Sequence, residues 1–359
     1  MTALQPAAYA PYADPEDYIM SWTDRIWAPR GMGQIREHYQ PDIAVHGAYG
    51  TIVGCEPIIT ACVQKNAAYP RRLFTGEDVI WEARDANSFL SSHRIINCGR
   101  QEGHWQYGPP TFAYSTSRNV AVTLVRDAMV AEEWVVRDEW AVVEQSGHDV
   151  QRVAREIAGH PNAGLLGQDV DRIAREVANR PLTDPDESTG RLLGNPPADP
   201  LVAGVSGRRP ERSGAGAGED QRVLAMIDEV WNQHLGQLVE DYFSRDIVIE
   251  TTRHRTFARE SGYKDELDHL FGAFPDARVD VYDVAFNDDP FFGRRVAVTW
   301  VLSGTYSGNP LYGPLTNAPV EILGVSHFQF RGDQIYREWR VYDELAVLAQ
   351  INRARGDLQ

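Results

Sequence analysis

The sequence predicts an α+β protein made of two tandem copies of one unit, and three observations carry that reading. Motifs recur at constant separation: Glu133-Trp134-Val135-Val136-Arg137-Asp138-Glu139 returns as Glu338-Trp339-Arg340-Val341-Tyr342-Asp343-Glu344 after 205 residues. Tyr107-Gly108-Pro109-Pro110-Thr111 returns as Tyr312-Gly313-Pro314-Leu315-Thr316 at that same distance, Pro70 and Asp78 meet Pro275 and Asp283, and Asp42-Ile43 answers Asp246-Ile247 at 204. Each copy places helical periodicity first and strands afterwards, which is an α+β order and not the alternation of a parallel βαβ sheet. At 359 residues the chain has room for two domains, and a period this long means tandem domains, not a solenoid.

The first copy (15–147) opens on Tyr18, Ile19, Trp22, Ile26 and Trp27 at helical spacing. The second (220–355) opens on Leu224, Ile227, Val230, Trp231 and Leu235. A shorter segment ending at His38-Tyr39 or Asp241-Tyr242 leads into a short strand, Ile43 to His46 or Ile247 to Glu250. Cys55 to Tyr69 and Ser261 to Phe274 read as a further helix, each closed by proline. The rest is strand-like and expected to pair antiparallel: 72–82, 88–97, 119–126 and 131–138, with counterparts at 278–286, 295–303, 320–330 and 334–342. Between the copies, 148–219 holds two similar charged amphipathic stretches, 149–158 and 169–178, then a connector at 180–218 rich in proline, glycine and arginine. It reads as a solvated linker; packing of its helices across the two domains is the competing reading.

Composition narrows the function. A net charge of −16, from 51 acidic against 35 basic residues, repels phosphate backbones and anionic membranes, so neither nucleic acid nor membrane is an expected partner. No apolar run nears the ~20 residues that span a bilayer. The first residues lack the basic start and apolar core of a secretory signal, so a cytoplasmic location is the default expectation. Cys55, Cys62 and Cys98 are scattered without metal spacing. His46, His93, His104 and Asp138 lack any HxH or HExxH pattern, and no phosphate loop, GxSxG elbow or strand-borne GxGxxG occurs. Neither a metal nor a cofactor is expected.

Helix, short strand, helix, then a curved sheet ending in I-x-x-E-W-x-x-x-D resembles the SnoaL-like polyketide cyclases of the nuclear transport factor 2 superfamily. The second copy is the closer match, with His327-Phe328-Gln329-Phe330-Arg331-Gly332-Asp333-Gln334-Ile335, then Glu338-Trp339 and Asp343. The first copy keeps Glu133, Trp134 and Asp138, lacks the glycine turn, and has Val122 where His327 stands. The resemblance implies two cone-shaped domains, each with N-terminal helices packed on a curved antiparallel sheet around an apolar cavity. It also implies pairing through the sheets as an internal pseudo-dimer, with homo-oligomerisation left open. The same fold serves cyclases, isomerases, dehydratases and non-catalytic binders, so it does not settle activity.

Alternate strand residues share a face, which groups Trp339 with Val341 and Asp343, and Trp134 with Val136 and Asp138. With the tryptophans toward the cavity, each would bring a carboxylate into an apolar wall, where burial raises its pKa toward the proton-transfer range. The competing reading makes Asp343 and Asp138 N-caps of the last helix of each copy. The resemblance implies that His327 acts beside Asp343 as the partner acid or orients a substrate carbonyl, and a satisfied surface or core histidine is the competing reading; in the first copy Asp138 would work with His46 or His93, or activity is lost. Trp339, Trp134, Tyr312, Tyr107 and Trp300 are the candidates for substrate contact. The expected function is a cofactor-independent lyase- or isomerase-type enzyme acting on a small apolar or aromatic carbonyl compound by cyclisation, isomerisation or dehydration. The alternative is a non-catalytic small-molecule-binding or scaffolding protein.

Overall fold

The computed structural model describes residues 4–28, 30–159 and 219–355. The stretch 169–178 and the connector 180–218 lie outside the described residues. In the first unit, α1 (Pro15–Trp27) starts where the Asp14 carboxylate accepts from Asp17 N at 2.8 Å, with Pro15 in the first turn. Then follow α2 (Ile35–His38), β1 (Tyr39–Gly47), β2 (Gly50–Val53), α3 (Cys55–Ala68), β3 (Leu73–Ala83), β4 (Ser88–Arg100), β5 (Tyr114–Arg126), β6 (Met129–Arg137) and α4 (Glu139–Gln145). α5 (Val150–Gly159) follows. The second unit runs α6 (Glu219–Met226), a π-helical turn at Ile227–Asn232, α7 (Val239–Tyr242), β7 (Phe243–Glu250), β8 (Thr256–Ala258) and α8 (Arg259–Ala273). It ends with β9 (Arg278–Asp289), β10 (Gly293–Tyr306), β11 (Ala318–Arg331), β12 (Gln334–Tyr342) and α9 (Glu344–Arg355).

Each unit holds one six-stranded sheet, in the orders β2-β1-β6-β5-β4-β3 and β8-β7-β12-β11-β10-β9. The duplication read from motif spacing holds down to register. Asn119 lies opposite Ile95 and Arg137, and 205 residues on Gly324 lies opposite Trp300 and Tyr342. The four later strands of each copy pair antiparallel as expected, and the early strand joins each sheet in parallel, β1 to β6 and β7 to β12. A helix crosses over between the first hairpin and the four-strand meander, so the meander's last strand returns beside the first one in the same direction.

The helices cover one face of each sheet, and the two opposite faces pack on each other. Ile80, Leu90, Val122 and Trp134 meet Ala285, Ala297, Val325 and Val341 there in one apolar cluster. Arg118 pairs with Glu250 at 3.0 Å across this seam, and Arg84 pairs with Asp283 and Arg295 with Asp78. The first linker helix is not solvated. Val153 and Ala154 of α5 join a buried cluster with Leu345 and Leu348 of α9, and Arg152 donates to Tyr107 O at 2.7 Å. An amphipathic stripe buries itself wherever an apolar surface is within reach. Among the described residues, no helix is long and apolar enough to cross a membrane.

Candidate active site

The inner face of the first sheet is set by strand parity. Ser91 and Thr123 are bonded at 2.6 Å on that face, which places His93, Ile95, Ala121 and Glu133 beside them. There they enclose a cavity of about 50 Å³, walled also by Trp22, Trp27, His38 and Tyr39. Tyr39 OH donates to Glu133 Oε2 at 3.1 Å. Burial pushes the Glu133 carboxyl up to about 7, against the pull of the Tyr39 hydrogen bond and the Arg137 charge. Burial, and then the charge of Glu133, raises Tyr39 well above the ordinary phenol range, so it stays a neutral donor.

Two histidines complete the wall. His38 stacks on Trp22 at 3.9 Å and lies 3.0 Å from Tyr18 OH through Nδ1; burial pushes it down to about 3. His93 reaches Thr23 Oγ1 at 3.4 Å through Nδ1, and Nε2 has no hydrogen-bond partner among the described residues. Burial, reinforced by the nearby His327, pushes His93 down to about 4. Both imidazoles are therefore neutral at pH 7.

The second unit fills the same space with its own side chains. Glu338, at the position of Glu133, is gripped by Arg340 at 2.7 and 3.1 Å and by Ser326 at 3.0 Å. Phe243 and Val298 stand where the first unit has Tyr39 and His93. The Trp300 indole lies across Gly324, where an added Cβ would come within 2.1 Å of Cζ2, so only glycine lets the ring close the interior.

Of the residues singled out from sequence, His93 lines the open cavity and the others fall elsewhere. The tryptophans face the seam, reversing the orientation expected: Trp134 belongs to the apolar seam cluster, and Trp339 lies 3.8 Å beneath the Arg94 guanidinium. His327 is on that side too, held by Ser92 Oγ at 2.7 Å and Arg94 at 3.1 Å. His46 is fixed by Thr51 and Glu132, each at 2.8 Å, on the sheet face opposite Glu133. His104 is exposed in a loop, so the four suggested metal ligands do not converge. Tyr107 and Tyr312 hydrogen-bond Glu139 and Glu344 in the first turns of α4 and α9, and Trp300 is the filler just described.

Asp138 and Asp343 take the cap geometry. Asp138 accepts from Ala141 N at 3.3 Å and from Arg253 N of the other unit at 2.6 Å, while Asp343 accepts from Leu345 N at 3.0 Å and Ala346 N at 3.3 Å. Asp343→Ala is therefore expected to cost about 1 kcal/mol of stability and to leave turnover per folded molecule unchanged. A melt together with a rate assay checks this, and a rate loss of ~10² or more would return that carboxyl to the chemistry. Glu133, Tyr39 and His38 were the functional candidates missed, although Glu133 stands inside the repeated motif.

Fold and site together define a tandem α+β protein with one open, polar-lined interior and one filled interior. Residues 221–351 match the SnoaL family model, described as SnoaL-like polyketide cyclase. That span lies within the second unit, and the first unit repeats its strand order and register. Among solved structures, the chain is similar to a protein from Jannaschia sp. CCS1 assigned as a SnoaL-like polyketide cyclase. Identity there is 22% over 37% of this chain and 91% of that one, with a TM-score of 0.34. IdmH from Streptomyces antibioticus, assigned as a polyketide cyclase, is 20% identical over 37% of this chain and 97% of its own, with a TM-score of 0.33. A SnoaL-like polyketide cyclase from Agrobacterium tumefaciens is 22% identical over 37% and 98%, at 0.29. No curated protein matches the chain.

Proposed function

We propose that the first unit is a cofactor-independent acid–base catalyst of the cyclase or isomerase type, acting on a small carbonyl compound through Glu133. The supporting observation is a buried carboxyl lifted to about 7, hydrogen-bonded to a neutral phenol, in a cavity walled by aromatic rings. A carboxyl with that pKa is near half-ionised at neutral pH, where a general acid–base group works best. As carboxylate, Glu133 takes a proton from the carbon beside the carbonyl. The Tyr39 O–H then turns to the carbonyl oxygen as negative charge develops there. Glu133 returns its proton at the carbon where the product's new bonding requires it.

A cavity of about 50 Å³ holds water-sized groups, whereas ligand sites usually run to roughly 300–1,000 Å³. Substrate entry therefore requires Trp22 and Trp27, both partly exposed, to swing outward. The scaffolding alternative is favoured for the second unit alone, whose interior Trp300 and the Glu338–Arg340 pair occupy. The test begins with mass spectrometry of small molecules that co-purify with the protein, followed by turnover of the identified compound across pH. The rate is expected to rise with pH to a plateau with an apparent pKa near 7, and a rate independent of pH from ~5 to ~9 would refute Glu133 as the base.

A further inference from the structure

We infer that the rim of the first unit's inner sheet face, where Arg72 is partly buried and Arg137 exposed, binds an oxyanion head group, so that the ligand is an amphiphile with its apolar body beside Glu133 and a carboxylate or phosphate at Arg72 and Arg137. This rests on the reading above and names the substrate class it would serve. Past Ile95, Ala121 and Val135, the inner face continues as Asn97 on β4, Asn119 on β5 and Arg137 on β6. Asn119 is 8% exposed and lies directly opposite Arg137. Both amide atoms of Asn97, and Oδ1 of Asn119, are buried without a hydrogen-bond partner among the described residues. Buried amides are ordinarily satisfied, and of these atoms Asn97 Nδ2 is the donor that an oxyanion would accept from.

Among the described residues neither guanidinium there is ion-paired, although Glu133 and Glu139 lie near enough to feel the charge of Arg137. Arg72 lies 5.5 Å over the ring of Trp27, itself a wall of the cavity, and its Nε donates to the neutral Asn66 at 2.8 Å. Neither Arg72 nor Arg137 has a carboxylate within ion-pair distance among the described residues, and Glu139 nearby is taken by Lys65 at 2.9 Å and by Tyr107. The buried Arg94, Arg295 and Arg340, and the partly buried Arg118, each hold a carboxylate. Two arginines without an ion pair, beside the buried donor Asn97 Nδ2, make a place for an anion. The guanidinium fork matches carboxylate and phosphate oxygens alike.

The duplicated unit serves as an internal control. At the positions of Arg72, Asn97, Asn119 and Arg137 it carries Ala277, Leu302, Gly324 and Tyr342, in the same strand register. The fold therefore requires no charged or amide group at any of the four positions.

The experiment titrates the full-length protein by calorimetry with three probes that share one apolar body: 4-phenylbutyrate, 3-phenylpropyl phosphate and the neutral 4-phenylbutyramide. At least one anion is expected to bind about 10-fold or more tightly than the amide. That preference should collapse in Arg137→Gln and in Arg72→Gln, survive in Arg137→Lys, and weaken with added salt. The tighter of the two anions assigns the head group. Equal binding of the amide, no anion binding at millimolar concentration, or a preference that persists in the Arg72→Gln/Arg137→Gln double variant would each overturn the site. Melting curves confirm that the variants fold. Glu133→Gln keeps the anion preference in either case, so failure of the proton-transfer reading, seen as unchanged turnover in that variant, is separable from failure of this one.

Discussion

Glu133→Gln is expected to lower turnover by ~10²–10⁴ while raising the melting temperature at pH 8. The two effects share one cause. In the unfolded chain this carboxyl ionises near its ordinary 4.5, and in the folded protein near 7. Between those values the folded state keeps a proton that the unfolded state has released, so stability falls as pH rises through the window. Glutamine keeps the shape without that loss, so the variant should melt above the wild type at pH 8 and show no such gain at pH 4. Glu338→Gln, the same substitution 205 residues on, should do the opposite. It strips the carboxylate from the buried Arg340 and should cost about 3–5 kcal/mol. Turnover by the folded fraction should remain, because that interior is filled. A Glu133→Gln protein that melts lower at pH 8 and loses activity only in proportion to unfolding would make Glu133 a structural residue.

The duplication was legible because motifs at one constant spacing constrain the fold independently of any propensity. Part of that signal came from joints, not from chemistry: Tyr107 and Tyr312 recur because each hydroxyl holds the glutamate that opens the following helix. Strand parity was legible as well, but its sign was not. On β12, Glu338, Arg340 and Tyr342 alternate with Trp339 and Val341, and a charged set normally marks the solvent side. Here both faces are buried, one under helices and one under the other sheet, so hydrophobicity could not tell inside from outside. Glu338 and Arg340 tolerate the interior by satisfying each other, while Trp339 reaches the seam under Arg94. The same inversion on β6 hid Glu133 behind Trp134. His93 needed no such choice, since its candidacy rested on a central strand alone. The family match covers the unit with the filled interior, so family resemblance follows the positions that build the fold and not those that make a site.

Asp78→Ala is expected to cost about 3–5 kcal/mol, the largest loss of stability for a single change at the seam. Asp78 faces Arg295 directly, with Arg94 at 3.8 Å and His327 at 3.9 Å. Burial alone would push its carboxyl up; the polar contact of His327 and the charges of Arg94 and Arg295 outweigh that and hold it below its ordinary value. Removing it leaves two guanidinium groups, 2% and 4% exposed, with Asp289 and Glu77 as their remaining carboxylates. Desolvated charge without compensation is what makes such a deletion far costlier than the loss of a surface pair. The pH dependence follows by linkage. A depressed carboxyl contributes stability that is present above its ordinary 3.8 and lost as pH falls through the folded value. His327, pushed down to about 4 chiefly by burial, stays neutral in the seam while the unfolded chain takes up a proton near 6.5, so stability also falls as pH drops from 6.5 toward 4. Urea unfolding at pH 7 and pH 5 measures the His327 effect, and a further series below pH 4 measures that of Asp78. A change within ~0.5 kcal/mol for Asp78→Ala at pH 7 would mean that the apolar contacts of Trp134, Val325 and Val341 hold the two sheets together without the ionic rim.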